Sequence, residues 1–169
     1  MLERIEGKVA WVTGAGTGIG QAGAIALASQ GVKIVLSGRR RAPLEETAAL
    51  ISQKGLEVLI EPLDVKDEAS VYAVRDRIVD QYGRIDILVN NAGTNVTERH
   101  WDVVTGERWR EVIDIDLSGA FYCARAVLPV MRERRDGLII NISSWAGRFY
   151  SYITGPAYSA AKHGLLALN

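Results

Sequence analysis

Cysteine occurs once in the 169 residues, at Cys123, so no internal disulfide can staple this chain and a reducing compartment suits it. The expected place of that thiol is as small apolar filler on a helix face. Histidine is almost as scarce. His100 and His163 stand far apart with no companion cysteines, so no metal-ligand spacing is present and no metal site is expected. Nowhere do eighteen apolar residues run together, and the opening stretch MLERIEGK is charged and has no apolar signal core. Neither a membrane nor a secretory segment is therefore expected, and the chain reads as cytoplasmic. An excess of charge is missing too: 20 basic and 20 acidic side chains cancel, so no global field draws nucleic acid or an anionic membrane. Repeats, low-complexity tracts and linkers are also absent, which leaves residues 1–169 as one domain long enough to bury a sizeable core.

What is present alternates regularly between short apolar runs and helical periodicity. Lys8 to Val12 is apolar and is followed at once by TGAGTGIG and by QAGAIALASQG, a helical pattern that stops at Gly31. A strand, a glycine-rich turn and a helix N-terminus in that order can bind phosphate, because unpaired backbone N–H groups and the positive end of the helix dipole converge where missing Cβ atoms permit close approach. Val32 to Leu36 and Leu56 to Leu63 supply further strands, with helices over Ala42 to Lys54 and Ala69 to Tyr82, the last ended by Gly83. Ile85 to Val89 is the fourth strand, terminated by Asn90-Asn91-Ala92-Gly93. Alternation of this kind implies an α/β fold: a Rossmann-like, doubly wound parallel sheet in three α/β/α layers with right-handed crossovers. The sheet order is expected to reverse between the first and fourth strands, so that TGAGTGIG and NNAG flank one crevice.

The end of the second strand bears on which dinucleotide such a crevice would hold. An acidic residue about 20 positions past the glycine turn would hold a ribose 2′-hydroxyl, but this chain offers Ser37, Gly38, Arg39 and Arg40. A guanidinium fork without a carboxylate matches a 2′-phosphate better, so NADP is expected over NAD, which stays possible. The alternative is that Arg39 to Arg41 form a solvated cluster at a helix start. Asp64, after the third strand, could accept from an adenine amino group or could instead cap the helix that begins near Asp67.

A long helix is expected from Trp109 to Met131. The apolar band of Val112, Ile113, Leu117, Phe121, Ala124, Val127 and Leu128 is wide enough for contact on more than one side, including another subunit. The basic run Arg132 to Arg135 reads as a solvated helix end. Leu138 to Ile142 is the fifth strand and delivers Ser143 and Ser144. Trp145, Phe149, Tyr150 and Tyr152 follow in a loop, by default as core packing and alternatively as a substrate wall.

The chemistry is concentrated in SWAGRFYSYITGPAYSAAK, Ser144 to Lys162. Tyr158 and Lys162 are four apart among small helix-compatible residues, which puts both side chains on one helix face. A free phenol titrates near 10, and bringing it to about 7 takes roughly 4 kcal/mol. An ammonium at about 4 Å supplies ~1 kcal/mol in water but ~4 kcal/mol at an effective dielectric of about 20, so the pair makes a base only where it is shielded. Ser144, fourteen residues earlier, can donate to a substrate oxygen that the phenol also touches.

Five motifs, TGAGTGIG at Thr13 to Gly20, Asp64-Val65, NNAG at Asn90 to Gly93, NISS at Asn141 to Ser144 and YSAAK at Tyr158 to Lys162, closely resemble the short-chain dehydrogenase/reductase family in order and spacing, over nearly the whole chain. The resemblance implies a pyrophosphate turn of Gly14, Thr17, Gly18, Ile19 and Gly20, with adenine beside Asp64 and Val65. Asn91, Ala92 and Gly93 would lie near the cofactor, with Arg39 toward the 2′-phosphate. Tyr158 would be the general acid/base, Lys162 would assist it and hold the nicotinamide ribose, and Ser144 would orient the substrate oxygen. The implied activity is hydride transfer between NADP(H) and a small carbonyl or secondary-alcohol substrate, in a dimer or tetramer. A dinucleotide-binding module without turnover is the competing function. This chain departs from the family in carrying Asp116-Leu117-Ser118-Gly119 where an asparagine usually holds a water that relays protons to the lysine. An aspartate there can hold water but adds negative charge near Lys162, and slower turnover is expected. The resemblance also implies further strands beyond Asn169, so the chain is read as part of a longer enzyme.

Overall fold

The computed structural model describes residues 5–150 and 152–168. The charged opening Met1 to Arg4, Ser151 in the aromatic loop and the final Asn169 lie outside the described residues. Five parallel strands, β1 (Val9–Thr13), β2 (Lys33–Ser37), β3 (Val58–Ile60), β4 (Ile87–Asn90) and β5 (Leu138–Asn141), form one sheet in the order β3-β2-β1-β4-β5. The order reverses between β1 and β4, as the alternation of strand and helix predicts. Helices α1 (Gly18–Ala28), α2 (Arg41–Ser52), α3 (Glu68–Tyr82), α4 (Gly106–Ile113), α5 (Gly119–Arg134) and α6 (Gly155–Leu166) connect and flank it.

The strands sort their side chains with period two, as a sheet buried on both faces requires. Val9, Trp11, Val35 and Leu88 point to the layer of α3 and α5, where Val74, Ile78, Cys123 and Val127 meet them. Ala10, Val12, Ile34, Leu36, Ile87 and Val89 point to the layer of α1 and α2, against Ala24, Leu44 and Ile51. Cys123 is fully buried there, and burial pushes its thiol up to about 12, so it serves as apolar filler. Trp11 is also fully buried, and its indole N–H needs a partner. Nε1 donates to Ser37 Oγ at 2.8 Å, and that hydroxyl donates to Glu61 O at 2.7 Å, so one polar chain crosses β1, β2 and the end of β3.

Three expectations are corrected. The third strand is shorter than Leu56 to Leu63. Regular pairing with β2 stops at Ile60, although Glu61 N and Leu63 N still reach Leu36 O and Gly38 O, and Pro62 between them falls at a position whose N–H would face the open edge of the sheet. The long helix starts earlier and is not uniform. Thr105 caps it, its hydroxyl accepting from Arg108 N at 3.2 Å, and a π-helical turn over Asp114–Ser118 separates α4 from α5. The aromatics after Ser144 do not pack in the core: Trp145, Phe149, Tyr150 and Tyr152 are all more than half exposed.

Candidate active site

At the carboxyl end of β1 the chain turns through four glycines, and Gly14, Gly18 and Gly20 are each required for a different reason. Gly14 has φ +64°, and a Cβ there would lie 2.9 Å from both Ala92 Cα and Asn91 Nδ2. Gly18 has φ +59° with open space around it, so conformation alone selects it. Gly20 has an ordinary φ, but a Cβ would run into the Gly14 carbonyl and the Asn91 amide. Thr17 stands at the N-cap of α1 without a capping hydrogen bond, and the first turn holds no acidic residue, so the positive helix end is uncompensated from within. Ile19 is exposed beside it.

Asn91 ties this turn to β4. Its Nδ2 donates to Thr13 O at 3.0 Å and Gly14 O at 3.1 Å, while Asn91 N and Ala92 N donate to Thr13 Oγ1. Asn90 Nδ2 donates to Asn141 Oδ1 at 2.9 Å, adding the end of β5. A groove of about 270 Å³ opens between these strand ends. Its walls are the turn (Gly14, Gly16, Thr17), the segment leading into α2 (Gly38 to Arg40) with Pro43 of its first turn, the segment after β3 (Asp64, Val65) and Asn91 to Gly93. Of the three neighbouring arginines only Arg41 is drawn away, to Glu45 at 3.0 Å; Arg39 and Arg40 line the groove. Asp64 is not the cap of α3. Asp67 is, accepting from Ser70 N and Ser70 Oγ, and Asp64 accepts from Lys66 N at 3.1 Å on the groove wall.

A second cavity, about 450 Å³, continues from the first through the shared residues Asn91 and Gly93. It brings together Ser144 from the end of β5, Tyr158 and Lys162 from α6, Asp116 from the π-helical turn and Ile19 from the glycine turn. Lys162 Nζ is 5.5 Å from the Tyr158 ring centroid, one helical turn away, and donates to Ile142 O at 3.1 Å. Tyr158 is half-buried, whereas Lys162 is 4 % and Asp116 1 % exposed. The Asp116 carboxylate accepts from Thr94 N at 2.7 Å through Oδ1, and Oδ2 lies 3.2 Å from Lys162 Nζ without an aligned hydrogen-bond donor. Burial pushes its titration above the ordinary carboxylate range, against the opposing pull of the Lys162 charge and the Thr94 N–H. Ser144 Oγ accepts from Ala146 N at 3.2 Å, an interaction that leaves the hydroxyl proton unused.

The scaffold holds α6 tightly. Gly155, φ +72°, lets the helix start against the Arg99 backbone, and a Cβ on Gly147 would lie 2.7 Å from Lys162 O. Every residue expected at the site lines one of the two cavities except Gly18 and Gly20, which shape the turn beneath them. The exposed aromatics are not among the residues lining the second cavity, so they form no inner wall. The sequence reading missed Thr94, Asn95 and Thr154, which border that cavity. Thr94 and Asn95 sit in an irregular segment and Thr154 closes a 3₁₀ turn, and their only signal in the sequence is that they follow NNAG or precede the α6 glycine.

A family model described as short chain dehydrogenase matches residues 8–169. A Streptomyces virginiae protein named as the ketoacyl reductase of a monensin polyketide synthase is 45 % identical over 161 residues, which are 94 % of this chain and 61 % of the relative. The chain belongs to the short chain dehydrogenase family. Two solved structures superpose closely. A metagenomic short-chain oxidoreductase in complex with NADP has a TM-score of 0.92 at 34 % identity, covering 98 % of this chain and 75 % of that one. An NAD⁺-bound xylitol dehydrogenase has a TM-score of 0.93 at 34 % identity, covering 98 % and 64 %. The chain thus spans less than two thirds of the length of the curated relative, and both nicotinamide dinucleotides occur among its structural neighbours. Among the described residues no helix is long and apolar enough to cross a membrane.

Proposed function

We propose that this chain carries the cofactor and acid/base site of an NADP(H)-dependent oxidoreductase that interconverts a carbonyl compound and a secondary alcohol. The residues fit a dinucleotide. Glycines replace side chains where backbone must approach closely, a helix N-terminus lies uncompensated behind them, and two arginines stand at the far wall. Gly14, Thr17 and Gly18 would hold the pyrophosphate, Asp64 and Val65 the adenine, and Arg39 the 2′-phosphate. Asn91, Ala92, Gly93 and Ile19 would border the nicotinamide end. The bound dinucleotide supplies or accepts the hydride.

The observation that carries the reading is the Tyr158 phenol above a buried ammonium, in a cavity that also holds an uncommitted Ser144 hydroxyl proton. In the oxidative direction Tyr158 Oη, as phenolate, takes the alcohol proton; in reduction the phenol returns it to the nascent alkoxide. Lys162 favours the phenolate through its charge, strengthened by exclusion from water. Ser144 donates to the substrate oxygen and fixes its distance from Tyr158. Asp116 bears on the lysine rather than on the substrate. The substrate is a small carbonyl or alcohol compound, and the half-exposed Phe121 face of α5 is where a second subunit would pack.

The pairing of Asp116 with Lys162 favours a second reading, a dinucleotide-binding module without turnover, because the carboxylate competes for the charge that the phenol needs. Titration of the full-length protein with NADPH, followed by fluorescence, tests binding, and a panel of ketones then tests turnover. The enzyme reading expects both, with Tyr158→Phe losing at least about a thousandfold in kcat and keeping cofactor affinity. Binding without turnover of any ketone would establish the module instead.

A further inference from the structure

Thr47 lies on α2, outside both cavities, and is completely buried. Its hydroxyl meets four polar atoms. Gln21 Nε2 on α1 donates to it at 3.0 Å, and its own proton is shared among Pro43 O at 3.0 Å, Ala15 O at 3.1 Å and Gly16 O at 3.4 Å. The Pro43 contact is the ordinary back-bond of a helical threonine to its own preceding turn. The other three reach out of α2 to α1 and to the glycine-rich turn.

Ala15 is the residue on which this arrangement closes. Its N–H donates to Ser37 O at the end of β2, at 3.0 Å, while its carbonyl accepts from Thr47. A single buried residue of the turn, through the two peptide units that flank it, is therefore fastened on one side to the end of β2 and on the other to α2. Between those two anchors runs Gly38 to Arg40, the segment that forms the opposite wall of the first groove. Gly16 presses against the same helix: a Cβ on it would stand 2.9 Å from Pro43 Cβ. The spacing between the two walls is thus fixed in large part by Thr47, Gln21 and Ala15, none of which lines the groove.

We propose that Thr47, assisted by Gln21, is a positioning residue that sets the distance between the glycine-rich turn and the Arg39–Arg40 wall, and so couples recognition of the pyrophosphate to recognition of the ribose 2′-phosphate. The proposal rests on the cofactor reading above. A dinucleotide that engages both walls depends on their spacing more than one that engages the turn alone. Loss of the hydroxyl therefore costs NADPH more than NADH, although neither cofactor touches Thr47. Replacement by an isosteric methyl leaves the Ala15 and Gly16 carbonyls without this donor and Gln21 without its acceptor, and the turn is free to drift from α2.

The test is direct titration of NADPH and NADH into the wild type, Thr47→Val, Thr47→Ser and Gln21→Met, with thermal melts run alongside. Thr47→Val is expected to raise the NADPH Kd by about tenfold, and the NADH Kd by no more than about threefold. Thr47→Ser, which keeps the hydroxyl, restores both to within about twofold of the wild type. Gln21→Met raises the NADPH Kd by about threefold and decides the matter should Thr47→Val fail to fold. A lower melting temperature with unchanged Kd values would make the contact structural only and overturn the proposal. Equal losses for both cofactors would overturn the coupling. Failure of the cofactor reading itself is seen separately, in the wild type: it would bind neither dinucleotide, or would prefer NADH.

Discussion

At the scale of single residues, Asp116 is the group that bears most directly on the proposed Tyr158–Lys162 pair. A carboxyl 1 % exposed has lost its water, and 3.2 Å from Lys162 Nζ its negative form would offset the ammonium on which the proposed acid/base chemistry draws. Asp116→Asn keeps the shape and an acceptor for Thr94 N while removing the charge. Oxidation should then run several-fold to about tenfold faster at neutral pH, with the gain largest on the acid side of its pH–rate profile. A pH–rate series on the two proteins checks this, and coincident profiles would leave Asp116 with no electrostatic part. Stability gives an independent reading. Because burial raises the folded titration of Asp116 above its ordinary 3.8, the folded state holds this proton more tightly than the unfolded chain. Its contribution is complete below that ordinary value and is lost as pH rises through the raised folded value. Chemical unfolding of Asp116→Asn should therefore show a shallower decline in stability over that interval, and an identical slope would contradict the assignment.

At the scale of elements, α1 shows how one helix can carry glycines with opposite consequences. Gly20 is buried at its first turn, where a Cβ would collide with the Gly14 carbonyl and the Asn91 amide, both part of the turn itself. Gly23, one turn on, has nothing within 4 Å of where its Cβ would be. Gly20→Ala should displace α1 from the turn and weaken NADPH binding by more than about tenfold. Gly23→Ala should leave binding unchanged and add about 0.5–1 kcal/mol of stability by lowering the entropy of the unfolded chain. Thermal melts and cofactor titration of the two variants separate the effects. The first glycine and its partner Asn91 were legible from the sequence, because a glycine turn between an apolar run and a helix has few structural meanings, and NNAG falls where the sheet order reverses. The π-helical turn at Asp114–Ser118 was not legible. It differs from an α-helix by the hydrogen bond each residue makes, and the apolar spacing on either side continues through it. Thr105 was legible in principle, as a capping residue just before a helical pattern, but the polar segment from Thr94 to Thr105 obscured it. The aromatics after Ser144 misled because hydrophobicity argues for burial, whereas a loop anchored through Ala146 and Gly147 carries the large rings outward. Thr47 carried no sequence signal: its role depends on three segments that come together only in the fold.

At the scale of the whole molecule the two ends of the sheet do different work. The carboxyl ends turn through glycines and are tied to one another by the Asn90 and Asn91 amides beside the groove, whereas the amino ends are closed by charge. Asp86, 2 % exposed, receives Val9 N at 2.8 Å and the Arg84 guanidinium on its carboxylate. Its backbone N–H reaches Val9 O, and its carbonyl accepts from Leu138 N, so one residue fastens β1, β4 and β5. Burial alone would raise its titration, but the Arg84 hydrogen bond, the Val9 N–H and the neighbouring arginine charges outweigh it and hold the carboxyl below its ordinary 3.8. The stabilisation is therefore present above that value and lost as pH falls through the lower folded one, the reverse of Asp116. Asp86→Asn should cost about 2 kcal/mol at neutral pH, roughly 5 °C in melting temperature for a chain of this size, and the variant should lose less further stability on acidification than the wild type. NADPH affinity measured at neutral pH should not change, since no part of this clamp reaches the groove at the other end of the strands. A weakened NADPH affinity in a folded Asp86→Asn protein would mean that the sheet transmits strain along its length, and the division between a stabilising end and a binding end would have to be given up.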